Sequence, residues 1–271
     1  MRPPSPTTLR RLLLVLLIVL WEVVPRLGLL PELFLPALSK VLAVLASDWA
    51  TYASALLVTL YEVGIAILIA CGLGITLGAL VGGVAVLREL LLPVFSSLYA
   101  IPIVILYPLF TAWLGIGSQS KIVFAGLYGF FPVMLSTAAG VRMIDPQFLL
   151  AARSMGATLP QQISKVIIPA SLPTVFSGLR LGGALAIIGV VVAEMLTSSA
   201  GIGYLVTLNR TILDSPRVYA AILAILLLSI AYDIIARAIE RRAVVWQSSS
   251  RAQSQAAAGR VAPTAAAATA A

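Results

Sequence analysis

The sequence predicts an all-α membrane protein of six transmembrane helices, and three observations lead there. Of its 271 residues 61% are apolar and 10% charged, where a soluble domain carries about a quarter charged residues. Apolar runs of about 20 residues, the length that crosses a hydrocarbon core, recur along the chain. The 18 Lys and Arg residues, which bring the net charge to +8, lie between those runs rather than in one patch. Basic residues so placed report membrane topology and not a nucleic-acid surface.

Residues 1–11 form a short N-terminus, and the first span covers about 12–30. Trp21, Glu22, Pro25 and Arg26 stand where a cleavage site of small residues would lie, so the run reads as an uncleaved span and not a signal peptide. Between Pro31 and Ser54, Leu38, Val41, Leu42 and Leu45 recur at helical spacing. Lys40 and Asp48 bracket a run too short to cross, which predicts an interfacial helix. The second span, 55–83, carries a small residue at every fourth position: Ala66, Ala70, Gly74, Gly78 and Gly82. Such a stripe lets a neighbouring helix backbone approach closely, and Gly178 with Gly182 repeats it in the fifth span.

The third span, 91–114, is interrupted by Pro93, Pro102 and Pro108, with Tyr99 and Tyr107 beside the latter two. Irregular backbone at membrane depth is tolerated where it is buried in protein or faces a wet cavity. Tyr99, Pro102, Tyr107 and Pro108 are therefore candidates for lining a path, with ordinary kinks as the alternative. Spans at 122–141, 172–197 and 218–236 complete the set. An even number places both termini on one side, together with 13 of the 18 basic residues. Arg26, Lys40, Lys121, Arg210 and Arg217 fall opposite, which makes the termini cytoplasmic. From 243 to 271 the chain turns to Ala, Ser, Gln and Thr, the composition of a disordered tail.

Within the spans the charges are Glu22, Glu62, Glu194 and Asp233, with Arg180 near one end. Each costs at least ~2.5 kcal/mol at a helix centre and must face the bundle interior, water or a partner. Arg180 and Glu194 lie about 21 Å apart along a straight helix, too far to pair. Glu194 and its neighbour Met195 are open to two readings, a lining of the path or a hydrogen-bonded structural site. Asp233 meets Arg237 at i,i+4 spacing.

The loop 145–168 is the most informative segment. Asp145 and Pro146 form an N-cap and first-turn proline, and Phe148, Leu149, Ala152 and Met155 keep helical spacing until Gly156. Thr158 with Gln161 is a capping-box pattern that starts a second helix, expected to end at Pro169. Two short helices hinged at a glycine, polar in setting yet rich in large apolar residues, suit insertion into a partner. A loop packed on itself is the alternative.

Enzymatic classes are thinned by what the sequence lacks. With no histidine and the single cysteine Cys71, disulfide frameworks, His/Cys zinc sites, His-based triads and intramembrane metalloproteases are excluded. An intramembrane aspartyl protease would need a second aspartate opposite Asp233, and no G-x-G-D supplies it. No P-loop is present, since none of Lys40, Lys121 and Lys165 follows a glycine in the required frame. No metal site and no cofactor are expected in this chain.

Leu150-Ala151-Ala152, then Gly156-Ala157 and Val166-Ile167-Ile168-Pro169, resembles the EAA loop of the membrane subunits of ABC importers, EAA-x3-G-x9-I-x-L-P. The segments Ile101-Pro102 to Phe110, Gly178 to Gly182, Val191 to Met195 and Gly201 to Leu205 resemble the nitrate, sulfonate and taurine branch of that family. The resemblance covers roughly residues 55–242 and departs at Leu150, where the motif carries an acid.

The resemblance implies a type I ABC importer permease in a bacterial plasma (inner) membrane. It implies a second permease subunit, most simply a second copy, a cytoplasmic ATPase dimer that binds ATP-Mg, and an extracytoplasmic solute-binding protein that largely sets the substrate. Leu150, Ala151, Ala152, Gly156, Ala157 and Pro169 would then belong to the loop that couples ATPase closure to the path. Solutes carried by the branch include nitrate, sulfonates, taurine, riboflavin and thiamine pyrimidines. A secondary transporter or channel without an ATPase is the competing reading, and the docking shape of the loop speaks against it.

Overall fold

The structure is a computed structural model that describes residues 6–267, with side chains described through Ala243. Every regular element among the described residues is helical. The helices are α1 (Pro6–Arg26), α2 (Leu38–Ser47), α3 (Trp49–Gly83), α4 (Ala85–Ala100) and α5 (Tyr107–Leu114). They continue with α6 (Ser118–Arg142), α7 (Pro146–Ser154), α8 (Leu159–Gln162), α9 (Ile168–Leu196), α10 (Ile202–Thr211) and α11 (Ser215–Ala267).

Four helical segments are long and apolar enough to cross a membrane: α3, α6, the run Leu159–Leu196 that contains α9, and Ser215–Ala243 of α11. A fifth crossing is possible if α4 and the segment Ile103–Leu114 are taken together, and these are bent by 83°. The third expected span, 91–114, is therefore not one rod. Its helix begins at Ala85 and breaks where Ile101 and Pro102 take extended backbone, before a 3-10 turn at Ile103–Leu106. The first expected span, 12–30, folds as α1 and stops at Arg26, with Gly28 at a φ of +70° just beyond. Arg10, Arg11, Glu22 and Arg26 lie within those 21 residues, and that charge keeps α1 out of the set of strongly apolar crossings.

The core is a sandwich of α3, α6 and α9, with α6 in the middle. Ala66, Ala70, Gly74, Gly78 and Gly82 of α3 are buried, and the glycines lie against Val133, Met134, Thr137 and Ala138 of α6. A Cβ on Gly78 would sit 2.5 Å from the Met134 carbonyl, and one on Gly82 would sit 2.7 Å from that of Ala138. On the other face of α6, Gly178 meets Ser136 and Pro132, and a Cβ on Gly182 would sit 2.6 Å from the Gly129 carbonyl. Val133 fills the space between Gly74 of α3 and Gly182 of α9. Lipid is as apolar as a side chain, so helices in a bilayer associate through this close packing and not through escape from water.

A second cluster joins α2, α3, α10 and α11, where Val41, Tyr52, Ile202, Val206 and Ala220 are buried together. Tyr52 donates its hydroxyl to the Arg217 carbonyl at 2.9 Å, and Trp21 donates to the Pro36 carbonyl at 3.1 Å, tying α1 and α2 to this end.

One further expectation is corrected. Pro169 does not end a helix: it lies in the first turn of α9, in a helix continuous from Leu159 to Leu196. The preceding turn, Ile163–Ile167, widens to π geometry, with the Ile168 N–H reaching the Ile163 carbonyl. A widened turn makes room for the ring and for the donor that proline lacks. The tail from 243 is expected to be disordered, and its side chains lie outside the described residues beyond Ala243. Residues 1–5 and 268–271 of the expected N-terminus and tail lie outside the described residues.

Candidate functional site

The loop between α6 and α9 is built from its caps. Asp145 accepts the Gln147 N–H at 2.9 Å and starts α7. At its end, the Gly156 N–H reaches the Arg153 carbonyl at 2.9 Å and the Ala157 N–H reaches that of Ala152 at 3.0 Å. This is a Schellman closure, and it needs the left-handed residue that Gly156 provides at a φ of +77°. The Thr158 N–H then donates to Gln161 Oε1 at 2.9 Å, completing the capping box of α8.

Gln162 rivets the two helices together. Buried at 7% exposure, it donates to the Ala157 carbonyl at 2.8 Å and accepts from Arg153 Nε at 3.4 Å. Ala152 is the buried residue of α7, while Ala151 on the same turn is exposed. Leu150 is 66% exposed, and Phe148, Met155 and Leu159 are equally open. The result is a rigid, hinged pair of short helices holding large apolar side chains away from the bundle.

At the opposite end of the bundle lies a buried polar network. Glu194, 1% exposed, accepts from Thr59 Oγ at 2.8 Å through one oxygen and from the Gly203 N–H at 2.7 Å through the other. Thr59 in turn accepts the Ile202 N–H at 3.0 Å. The carboxylate thus satisfies the start of α10, whose first N–H groups have no partner within their own helix. It occupies the space that side chains at Gly201 and Gly203 would need, and Gly201 adopts a φ of +101°.

Beside it, Lys121 Nζ lies 2.5 Å from Glu62 Oε1 and donates to Ser198 Oγ at 3.1 Å. Neither Glu62 oxygen accepts a hydrogen bond of good geometry among the described residues, so charge alone holds this pair. Lys121 is therefore not a loop cation, as expected from topology, but a core residue that neutralises Glu62.

Glu194 and Met195 line a cavity of about 400 Å³ together with Thr197, Ser198, Tyr204 and Thr207. Tyr107 is fully buried beneath it, packed edge-on to Phe124 with centroids 5.0 Å apart, and its hydroxyl donates to the Thr197 carbonyl at 3.3 Å. Tyr99 lies on the open face of α4 and stacks on Phe131 at 5.9 Å. Pro102 caps the 3-10 turn at the bend, and Pro108 opens α5. The structure thus gathers Tyr107, Glu194 and Met195 at one end and leaves Tyr99 apart on α4. Arg180, set apart from Glu194 by distance, lies 3.9 Å from Asp233 and 3.3 Å from Glu240. Asp233 also pairs with Arg237 at 2.6 Å. Sequence reasoning picks out Glu62 and Glu194 as charges within the spans and the segment that holds Gly201 and Gly203, but not Thr59, Lys121 or Ser198 as their partners.

A helical bundle knit by glycine stripes, with a buried polar network at one end and a hinged apolar loop at the other, defines a multi-pass transport subunit. Residues 70–245 match the family of binding-protein-dependent transport system inner membrane components, and the chain belongs to that family. It is the permease subunit of an ABC importer, a transport protein of the inner membrane.

The chain is 33% identical over 242 residues to the putative aliphatic sulfonates transport permease of Bacillus subtilis, covering 88% of this chain and 87% of that one. It is 31% identical to the taurine transport permease of Escherichia coli, covering 86% and 87% respectively. A riboflavin transport permease of Chloroflexus aurantiacus is 34% identical over 60% of this chain and 61% of its own. The inward-facing MetNI methionine ABC transporter superposes with a TM-score of 0.63 at 17% identity, covering 73% of this chain and 98% of that one. That likeness shows the shared type I importer fold.

Proposed function

We propose that two copies of this chain form the path for a small solute that a binding protein delivers, driven by ATP-Mg hydrolysis on a separate ATPase dimer docked at the loop 145–168. The observation that carries this reading is the loop itself. Phe148, Leu150, Met155 and Leu159 are exposed on helices whose ends are capped and whose hinge is locked. Apolar side chains held rigidly in the open are an anchor for a groove. Leu150, Ala151, Ala152, Gly156, Ala157 and Pro169 are its residues, and with Leu150 in place of the motif's acid the loop makes no ionic contact from that position. Both termini and this loop then face the cytoplasm, where most of the basic residues lie.

Tyr99, Pro102, Tyr107, Pro108, Glu194 and Met195 remain the candidates for the path, Tyr99 on the open face and Glu194 as the fastening of its far end. The first substrate class to test is the small organosulfonates, because the sulfonate and taurine relatives align over 86–88% of this chain. Riboflavin and formylaminopyrimidine follow, from relatives 34% and 28% identical.

The test is purification of the tagged chain from its own membranes in mild detergent. A P-loop ATPase recovered in equal amount, and lost on Gly156→Val, supports the reading. The chain recovered alone and transporting in ATP-free proteoliposomes overturns it in favour of a secondary carrier. Uptake of labelled taurine, an alkanesulfonate and riboflavin by the assembled complex then separates the substrate classes.

A further inference from the structure

At the end of the bundle that carries the 145–168 loop, α4 and α6 leave a cleft of about 380 Å³ between them. Its walls are Arg88, Leu92, Leu135, Ala138, Ala139 and Arg142. Both arginines line this one cleft, and α3 connects their neighbourhoods. Arg88 Nη1 donates to the Gly82 carbonyl at 3.1 Å, and Gly82 itself packs on Ala138 and Val141, one residue before Arg142.

Several cations of the bundle are answered by carboxylates, Lys121 by Glu62, Arg217 by Asp48 and Asp214, and Arg180 by Asp233 and Glu240, whereas Arg153, Lys165 and Arg210 have none within ion-pair distance among the described residues. Among the described residues no carboxylate lies within ion-pair distance of Arg88 or Arg142. Arg88 is half-buried and Arg142 exposed, so both stand where a ligand can reach them.

The cleft is charged at one end only. From Arg88 to Ser96 along α4 is about 12 Å, and from Arg142 back to Leu135 along α6 about 10 Å, at about 1.5 Å per residue. Over that length the walls are leucine and alanine, with a single hydroxyl at Ser96. A small inorganic anion would use the arginines and leave the trough unfilled. A phosphodiester joined to an acyl chain fills both, and it approaches from the bilayer surface, where α6 ends and α4 begins. Basic clefts between membrane helices are suited to acidic headgroups.

We propose that this cleft binds an anionic phospholipid, its phosphate between Arg88 and Arg142 and an acyl chain along Leu92 and Leu135.

The test is native mass spectrometry of the full chain in detergent with added phosphatidylglycerol or phosphatidylcholine of identical acyl chains. Phosphatidylglycerol is expected to be retained over phosphatidylcholine, and Arg88→Gln/Arg142→Gln is expected to weaken retention roughly thirtyfold, about fivefold per charge. Neither arginine makes an ion pair among the described residues and the double variant gives up one hydrogen bond, that of Arg88 to the Gly82 carbonyl, so an unchanged thermal midpoint in lipid-free detergent checks that its fold is kept. Equal retention of both lipids overturns the proposal, as does a folded double variant that binds like the parent. Displacement of the lipid by millimolar inorganic phosphate or methanesulfonate also overturns it, because the site would then belong to a free anion.

Discussion

Glu62, Lys121 and Glu194 show how a membrane core accommodates charge. Glu62 is fully buried, with Lys121 as its ion-pair partner, so removing one member leaves the other uncompensated. Glu62→Gln is expected to cost about 3–5 kcal/mol in detergent unfolding, and Glu62→Gln/Lys121→Met to restore much of that loss. Glu194 is different, because its oxygens answer specific donors on Thr59 and Gly203. Glu194→Ala orphans both donors and is expected to cost about 2–4 kcal/mol, while Glu194→Gln keeps one acceptor and costs less. Sequence reasoning found Glu62 and Glu194 as anomalies of charge within apolar runs. It did not find their partners, because Thr59 and Ser198 carry no such anomaly and Lys121 lies at the edge of its run.

At the scale of elements, the stripe on α3 and the hinge after α7 obey opposite rules. Gly78 is glycine because no Cβ fits, with the Met134 carbonyl 2.5 Å from where it would stand. Gly72 has nothing within 4 Å and merely continues the helix. Gly78→Leu is expected to abolish a cooperative thermal transition in detergent, whereas Gly72→Ala leaves it unchanged or raises it slightly. Gly156 also has open space around it, so its requirement is the backbone φ of +77° alone. Gly156→Asn, which tolerates that conformation, is expected to retain ATPase in pull-downs that Gly156→Val loses. Leu150→Glu is expected to leave transport unchanged or to strengthen it; a strong loss would show that the ATPase groove has become apolar to match Leu150. The stripe and the hinge were both legible as patterns. The continuity of helix through Pro169 was not, because a π turn is a property of backbone hydrogen bonding that residue type does not announce.

Across the whole molecule, the outward faces of α1, α4 and α5 are large and apolar, with Leu12 to Leu20 of α1 about half exposed throughout. In the proposed assembly these faces would meet lipid or a second permease, while the sandwich of α3, α6 and α9 is formed within the chain. The proposed orientation is checked by single cysteines in a Cys71→Ser background. Arg10→Cys and Arg241→Cys are expected to resist a membrane-impermeant thiol reagent in intact cells, and Arg210→Cys to react. Reaction at only one of the Arg10→Cys and Arg241→Cys sites would break the assignment of an even number of crossings, and protection of Arg210→Cys would break its placement outside.

By itself the sequence determined that this is a helical membrane protein, where its long apolar runs lie, that a hinged loop follows Arg142, and which family it resembles. Those properties are written in composition, periodicity and local caps, each decided within a few residues. Tertiary structure alone decided that α6 lies between α3 and α9, that Lys121 neutralises Glu62, that Glu194 fastens α10, and that Arg88 joins Arg142 at one cleft. Such pairings depend on which helix faces meet, and in a bilayer every face is apolar, so hydrophobic periodicity cannot choose among them.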